Sequence, residues 1–259
     1  MLYNNNAMNK AFASDIDGTL FFPKLIPPVK ESDLEAIKKY QNSNFLFGLC
    51  SGRPYCGVVN EFDDQIKPDF YIISSGALIL DKNKQVIYER KIIFKYIQEI
   101  YEEYCNQAIV IVQTANPNGV YKSQKEFENE HNVIIIKDIK QLKDEKIYGI
   151  SLVFKDDQTA YEKNCLINKK YSQLIGFQNT NSIDIVMKEC SKGNALKIIQ
   201  KEYQILKMAG IGDSYNDLSM LENVDVSFTF NDAPQELKDK TDYWVNSVSE
   251  ALKIFALVE

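Results

Sequence analysis

DIDGT, at residues 15–19, ends the first apolar run of the chain and sets its architecture. The residues before it, KAFAS at 10–14, predict a short strand that enters this turn. Asp15 and Asp17 are two residues apart, and side chains at that spacing in an extended segment point the same way. The sequence therefore predicts a strand whose end presents two carboxylates together.

The chain on either side of this turn alternates predicted strands and helices. In the first third we expect a helix over 31–40, a buried strand over 45–50, a short helix over 55–62 and a strand over 71–74. In the last third we expect a helix over 193–202, a strand over 207–211, a helix from 214, a strand over 226–230 and a helix over 248–257. This alternation indicates βαβ units and a parallel sheet.

The middle third has a different pattern, with many short strands. A hairpin is predicted from 78–80 to 86–88, and helices are predicted over 91–104 and 157–171. The remaining predicted strands are 109–113, 119–122, 133–137, 148–154, 174–178 and 183–187. We therefore predict an α/β fold with a Rossmann-like parallel sheet core, residues 1–80 and 187–259, and an inserted α+β cap domain, residues 81–186.

Composition argues against several classes of function. The 259 residues carry a formal net charge of −6 and no block of Lys or Arg, so a nucleic-acid or membrane-surface partner is not expected. No apolar stretch approaches the roughly 18 to 20 residues of a membrane span, and the polar N-terminus does not resemble a secretory signal. Five cysteines without a CxxC pair predict reduced, buried thiols and a cytoplasmic protein. The single histidine, His131, argues against chemistry that needs paired histidines.

Four short motifs follow predicted strands or begin predicted helices. They are DIDGT at 15–19, SGR at 51–53, SKG at 191–193 and GDSYND at 212–217. Ligand sites of open parallel sheets lie at the carboxyl ends of the strands, so we expect these motifs to converge on one crevice.

The motifs carry four carboxylates, Asp15, Asp17, Asp213 and Asp217. At one edge of a sheet these groups would repel and raise one another's pKa values. A hard cation relieves that repulsion, and Mg²⁺ prefers oxygen ligands. The four aspartates are therefore candidate ligands of Mg²⁺.

The same motifs offer groups that favour phosphate. Lys192 supplies a positive charge, and Ser191 is a candidate N-cap of a helix whose first N–H groups favour an anion. Gly18 and Gly52 would let backbone N–H groups approach phosphate oxygens closely. Phosphoryl transfer depends mainly on such positioning and charge stabilisation.

DIDGTL, SGR, SKGNAL and GDSYNDLSM resemble, in this order and spacing, the four motifs of the haloacid dehalogenase superfamily. The insertion between the second and third motifs resembles the large α/β cap of its Cof-type subfamily. The resemblance covers nearly the whole chain. It implies a Mg²⁺-dependent phosphatase that hydrolyses a small-molecule phosphate ester, such as a sugar phosphate or a phosphorylated cofactor.

The resemblance also implies roles for individual residues. Asp15 would attack phosphorus and form an aspartyl-phosphate. Asp17 would protonate the leaving alcohol and then activate water, while its backbone carbonyl would bind Mg²⁺.

Five further residues receive roles from the same resemblance. Ser51 and Lys192 would hold the phosphate, and Asn216 would assist at the phosphate or the metal. Asp213 would bind Mg²⁺, with Asp217 either a direct ligand or immediately behind one.

Two segments depart from the pattern of the subfamily. SGA at 75–77 stands where Asn-Gly-Ala is usual, and NDA at 231–233 stands where Gly-Asn-Ala is usual. Both segments lie near the substrate in relatives, so they bear on substrate identity rather than on the chemistry. The role of Arg53 stays open between an ion pair with an acid and a contact with substrate.

Two other functions are compatible with the motifs. A phosphomutase would use the same aspartyl-phosphate but move phosphate within a sugar. A receiver-like switch would be phosphorylated on Asp15, although receivers are about half as long, have no inserted cap and carry no second Asp two residues after the acceptor.

Overall fold

The computed structural model describes residues 10–124, 126 and 132–258, and His131 lies outside them. The described strands are β1 Lys10–Ser14, β2 Leu46–Cys50, β3 Phe70–Ile73, β4 Leu78–Asp81, β5 Val86–Glu89, β6 Ile109–Thr114, β7 Val120–Lys122, β8 Val133–Ile135, β9 Ile147–Val153, β10 Leu174–Asn179, β11 Ser182–Met187, β12 Lys207–Ile211, β13 Val226–Phe230 and β14 Tyr243–Val245. The described helices are α1 Glu31–Asn42, α2 Tyr55–Ile66, α3 Phe94–Tyr104, α4 Asp157–Lys170, α5 Lys192–Glu202, α6 Leu218–Leu221, α7 Gln235–Lys238 and α8 Val248–Leu257.

The first sheet has eight strands in the order β14-β13-β12-β1-β2-β3-β4-β5. The neighbours from β14 to β3 pair in parallel, which confirms the predicted parallel α/β core. Every residue of β2 is buried, as expected for a strand covered on both faces. Phe12 of β1 packs against Phe47 and Phe228 of other strands, so aromatic side chains fill the space between this sheet and its helices.

The hairpin β4-β5 belongs to this first sheet. β4 pairs antiparallel with β3, placing Ile79 opposite Ile72, and β5 adds beyond it. The chain thus leaves the first sheet after Glu89 rather than near residue 80, where the sequence places the start of the cap. Alternating apolar residues predict a hairpin but do not identify the sheet that it extends, which accounts for the difference.

The second sheet has six strands in the order β10-β11-β9-β6-β7-β8 and is mostly antiparallel. Side chains alternate between its faces. Val112 and Leu152, on the face covered by α3 and α4, are fully buried and apolar. The neighbouring positions, Gln113 and Ser151, point to the opposite face and toward the first sheet.

Short elements account for most differences from the predicted boundaries. The helix expected from 214 is a single 3₁₀ turn, Tyr215–Asp217, followed by the one-turn helix α6. The one-turn helix α7 and the three-residue strand β14 have too few residues for a periodic pattern and are absent from the prediction. α3 begins at Phe94 rather than at 91, because the Ile92 N–H donates to the Ile147 carbonyl and keeps that segment extended.

Two expectations about the whole chain can be compared with the structure. Across the described residues, every helix is too short or too polar to cross a bilayer. All five thiols are free, but only three are buried, because Cys105 is half-buried and Cys165 is exposed.

Gly76 lies in the tight turn after β3, where the chain passes close to the start of α5. Its φ is +91°, and an added Cβ would clash with the Ser191 carbonyl at the start of α5. We expect Gly76→Ala to lower the free energy of unfolding by about 2 to 4 kcal/mol, from the unfavourable φ and the overlap with backbone. Urea denaturation measures this change.

Gly57→Ala is the matched control for that substitution. An added Cβ at Gly57 would make only ordinary contacts, at 3.6 Å or more, and Gly57 lies within α2. Alanine there is expected to leave stability unchanged or raise it by up to about 1 kcal/mol. Equal losses in both variants would contradict the role assigned to Gly76.

Candidate active site

The four motifs meet at the carboxyl edge of the first sheet. β12, β1 and β2 are parallel neighbours, so the residues that follow them, Asp213, Asp15 and Ser51, lie side by side. A crevice of about 320 Å³ opens between this edge and the second sheet. Asp15, Asp17, Ser51, Gly52, Arg53 and Asn216 line the crevice from the side of the first sheet.

Lys192 lies at the centre of the site and is buried. Its Nζ donates to Asp15 Oδ1 at 2.6 Å and to Asp217 Oδ1 at 2.5 Å. Ser191 caps α5 by accepting the Asn194 N–H at 3.1 Å, which places Lys192 on the first turn of that helix. Burial alone would lower the pKa of Lys192, but the two carboxylates raise it well above its ordinary value, so the ammonium stays charged.

Asp15 is buried at the end of β1. Burial raises the pKa of its carboxyl to about 8, and Asp217 adds to this effect, while Lys192 opposes it. Burial and Asp217 likewise raise the pKa of Asp213 to about 6. Negative charge therefore accumulates here at a cost that a cation would offset.

Oxygen atoms of Asp15, Asp213 and Asp217 all lie within 4.8 Å of one another. Three carboxylates at this spacing form a donor set that fits a hard cation. Asp217 is already engaged through both oxygens, since Oδ1 accepts from Lys192 and Oδ2 accepts from the N–H groups of Asp213 and Ser214. Asp15 and Asp213 therefore keep more free oxygens for a metal than Asp217 does.

Asp17 points away from this cluster. Its two oxygens accept from Arg53, Oδ2 from Nε at 2.8 Å and Oδ1 from Nη2 at 2.6 Å. Arg53 also bonds the Gly57 carbonyl and Glu61. Of the two roles left open for Arg53, the structure shows the ion pair with an acid, because its guanidinium pairs with Asp17 and Glu61.

Two aromatic rings also contact the side chain of Arg53. Its guanidinium lies 4.8 Å from the ring centre of Phe21 and 5.5 Å from that of Phe62. Such contacts restrict a long side chain and favour its charge. Arg53 therefore presents a fixed fork to Asp17, whose side chain is half exposed to the crevice.

The other predicted phosphate-binding residues differ in their placement. Ser51 is buried and accepts the Arg53 N–H at 3.1 Å, while its own hydroxyl proton stays available. Asn216 lines the crevice and accepts from Ser214 at 2.6 Å. The Gly18 N–H instead donates to the Phe21 carbonyl at 3.1 Å, so the turn already uses it.

Gly18 leaves room for the side chain of Asp213. Its φ is +81°, and an added Cβ would overlap the carboxylate of Asp213. The absent side chain lets Asp213 approach the turn after β1 closely, which brings it toward Asp15.

Residues 12–251 match the family model described as haloacid dehalogenase-like hydrolase. The chain belongs to this family. The match spans both sheets, so the whole hydrolase, and not the first sheet alone, corresponds to the family.

Proteins named as phosphatases are similar to this chain over most of their length. A protein of Buchnera aphidicola subsp. Baizongia pistaciae, provisionally named a phosphatase, is 28% identical over 81% of this hydrolase and 82% of its own length. The 5-amino-6-(5-phospho-D-ribitylamino)uracil phosphatase of Bacillus subtilis is 28% identical over 93% of the hydrolase and 94% of its own length. A solved haloacid dehalogenase-like hydrolase from B. subtilis superposes with a TM-score of 0.83 at 20% identity, covering 96% of this chain and 99% of that one, and confirms the fold.

The opposite wall of the crevice was not predicted. The residues that form it are Gln113 of β6, Ser151 of β9 and Asp184 of β11, which face the first sheet across the crevice. Each is a polar residue within a strand that is otherwise largely apolar, as in IVIVQT at 109–114. That interruption was the available signal, but it does not reveal which face of the strand meets the crevice.

Of the two departures from the subfamily pattern, only one approaches this crevice. Ser75 Oγ lies near Gly52, 3.4 Å from where a Cβ would be. Asn231 and Asp232 line a separate cavity that also includes Gly18 and Asp213. The described residues that line this second cavity include none from the second sheet.

Proposed function

We propose that this hydrolase is a Mg²⁺-dependent phosphatase that releases phosphate from small phosphomonoesters through an aspartyl-phosphate on Asp15. The observation that carries the proposal is the buried Asp15–Lys192–Asp217 arrangement beside Asp213. The coarser statement, that the chain is a haloacid dehalogenase-type phosphatase, rests on its family and on its phosphatase relatives.

Asp15 acts as the nucleophile in this proposal. Its Oδ1 is held by Lys192, which leaves Oδ2 to attack phosphorus as the ester oxygen departs. Lys192 and Ser51 stabilise the charge on the phosphoryl oxygens, because both carry donors beside Asp15. Water then cleaves the acyl-phosphate bond, releasing phosphate and restoring the Asp15 carboxylate.

Asp17 transfers protons in both steps. It donates a proton to the departing alkoxide and takes one from the attacking water. Both of its oxygens accept from Arg53 in this structure, so one of these bonds must open before Asp17 carries a proton to the leaving group, which its half-exposed position allows.

Asp15 and Asp213, together with Asp217 and the Asp17 carbonyl, would hold the metal. Bound Mg²⁺ supplies positive charge to the phosphoryl oxygens and offsets the repulsion among these carboxylates.

The substrate proposed is a small phosphate ester, either a sugar phosphate or a phosphorylated cofactor. A crevice of about 320 Å³ admits a molecule of that size. The B. subtilis relative is named for a ribityl phosphate attached to a uracil, which is in the same class. The net charge of −6 and the free thiols support a cytoplasmic enzyme without a nucleic-acid partner.

Phosphate release from p-nitrophenyl phosphate tests the proposal. We expect turnover with Mg²⁺, a loss of at least about 100-fold in excess chelator, and recovery when Mg²⁺ is restored. Turnover that survives the chelator would contradict the metal requirement. Isomerisation of a sugar phosphate without phosphate release would instead indicate a mutase, and a long-lived phosphoprotein without turnover would indicate a switch.

A further inference from the structure

A row of three hydrogen-bonded side chains crosses the wall of the crevice that faces Asp15. Gln113 Nε2 donates to Ser151 Oγ at 2.7 Å, and Ser151 Oγ donates to Asp184 Oδ1 at 2.5 Å. Ser151 and Asp184 are directly opposite each other in neighbouring antiparallel strands, so their side chains share one face. The row is therefore part of the sheet and is held rigidly.

The direction of these bonds makes Asp184 the acceptor at the end of the row. Ser151 has one hydroxyl proton and gives it to Asp184, so Gln113 must turn its amide N–H toward Ser151. Gln113 Oε1 is then buried, and no described residue donates to it. Gln113 Oε1 lies against Gly149 and is closed off from solvent, so Asp184 is the acceptor of this row that a bound molecule can reach.

Asp184 sits where the second sheet meets the SGR motif. An added Cβ on Gly52 would lie 2.6 Å from Asp184 Oδ2, so only a glycine leaves room for this carboxylate. Burial raises the pKa of Asp184 to about 6, and its hydrogen bond from Ser151 opposes the rise. The group is therefore an anion at neutral pH, next to the proposed phosphate-binding loop.

Among the described residues of this crevice, each cationic side chain is already paired with carboxylates. Among its described lining residues, Arg53 is the only Arg or Lys, and Asp17 and Glu61 engage it. Lys192 is buried between two carboxylates. A carboxylate or second phosphate on the leaving group would face Asp184 with no cationic partner, and such a juxtaposition of like charges disfavours binding.

We propose that Asp184 is a specificity-determining residue that rejects leaving groups bearing a second anionic group and accepts a hydrogen bond from a hydroxyl of neutral leaving groups. This inference rests on the proposed phosphatase function. It deepens that function, because it assigns the choice between neutral and anionic leaving groups to one side chain of the second sheet.

Two esters that differ at one carbon provide the test. Glucitol 6-phosphate and 6-phosphogluconate share their phosphate and four hydroxyls, but the second ends in a carboxylate instead of a hydroxymethyl group. We expect the wild-type kcat/KM to favour glucitol 6-phosphate by at least about 30-fold. Asp184→Asn keeps the size of the side chain and the bond from Ser151, and should reduce this ratio at least about tenfold.

Asp156→Asn is the matched control. Asp156 belongs, like Asp184, to the insertion between the second and third motifs, and it caps α4, a role that Asn fills equally well. The substitution removes one negative charge at a position outside the crevice. Its ratio should equal that of the wild type.

Each outcome bears on one of the two proposals. A wild-type enzyme that accepts both esters equally, or prefers 6-phosphogluconate, would overturn the selection by charge. An unchanged ratio in Asp184→Asn would overturn the role of Asp184. Both results presuppose turnover of p-nitrophenyl phosphate, and an enzyme inactive on every ester would overturn the phosphatase proposal and this inference with it.

Discussion

Asp15→Asn is expected to lower kcat by roughly 10⁴-fold or more, because the amide cannot form the phosphorylated intermediate and loss of a nucleophile costs this much in comparable enzymes. The substitution changes no volume, and Asn Oδ1 can still accept from Lys192. Initial rates on p-nitrophenyl phosphate with saturating Mg²⁺ measure the loss. Activity within about tenfold of the wild type would refute the assignment of the nucleophile.

The same variant has a second readout that does not depend on turnover. The carboxyl of Asp15 has a pKa of about 8 in the folded protein, against about 3.9 when unfolded. A raised pKa contributes stability that is present below about pH 4 and is lost as the pH rises toward 8. In chelator, Asp15→Asn should therefore show a smaller fall in the free energy of unfolding between pH 5 and pH 8.

Asp69→Asn is the control for both measurements. Asp69 lies at the opposite edge of the sheet, before β3, where it accepts from the Phe47 N–H and from Gln41. It takes no part in the crevice, so its variant should retain the wild-type kcat and the wild-type pH dependence.

Lys192→Met is expected to cost about 3 to 5 kcal/mol of unfolding free energy, since removal of the lysine leaves the buried Asp217 carboxylate without its cation. Asp15 and Asp217 are both bonded to Lys192, and all three are nearly inaccessible to solvent. Methionine fills most of the volume without a charge. Urea denaturation in chelator at pH 7 measures the loss, and turnover should fall with it because the phosphate loses its lysine.

Two companion variants separate this electrostatic cost from a general effect of changing α5. Lys197→Met alters an exposed lysine of the same helix and should change stability by no more than about 0.5 kcal/mol. Lys192→Met combined with Asp217→Asn should recover part of the loss, because one unpaired carboxylate is gone. A double variant less stable than Lys192→Met would show that the buried charges are not the cause.

Local sequence patterns were sufficient for the fold class and for the family. The predictions of a parallel α/β core and of a haloacid dehalogenase-type hydrolase are confirmed. The reason is that DIDGT and GDSYND each directly follow an apolar strand, and parallel strands bring their carboxyl ends to one edge whatever the intervening chain does. The roles of Asp15, Asp17, Ser51, Lys192, Asp213, Asn216 and Asp217 stay predictions that the experiments above address.

Other features depend on partners that are distant in the chain, and local patterns do not carry that information. The hairpin β4-β5 was recognisable as a hairpin, but its place in the first sheet follows from its pairing with β3. The sequence left Arg53 open between an ion pair with an acid and a contact with substrate, and only the fold brings it to Asp17, 36 residues away. The N–H of Gly18, expected at the phosphate, is used by Phe21 because the turn closes on itself.

The wall of the crevice that the second sheet forms shows most clearly the difference between local and long-range information. Motifs and apolar runs indicate where the nucleophile, the lysine and the acidic cluster lie, because those signals are contained within a few consecutive residues. The row Gln113–Ser151–Asp184 joins strands separated by more than 30 residues, and its chemistry depends on which face of the second sheet meets the first. Residue types and spacing predict the class of reaction, because the signals are local, whereas the proposed selection of the leaving group depends on how the two sheets come together.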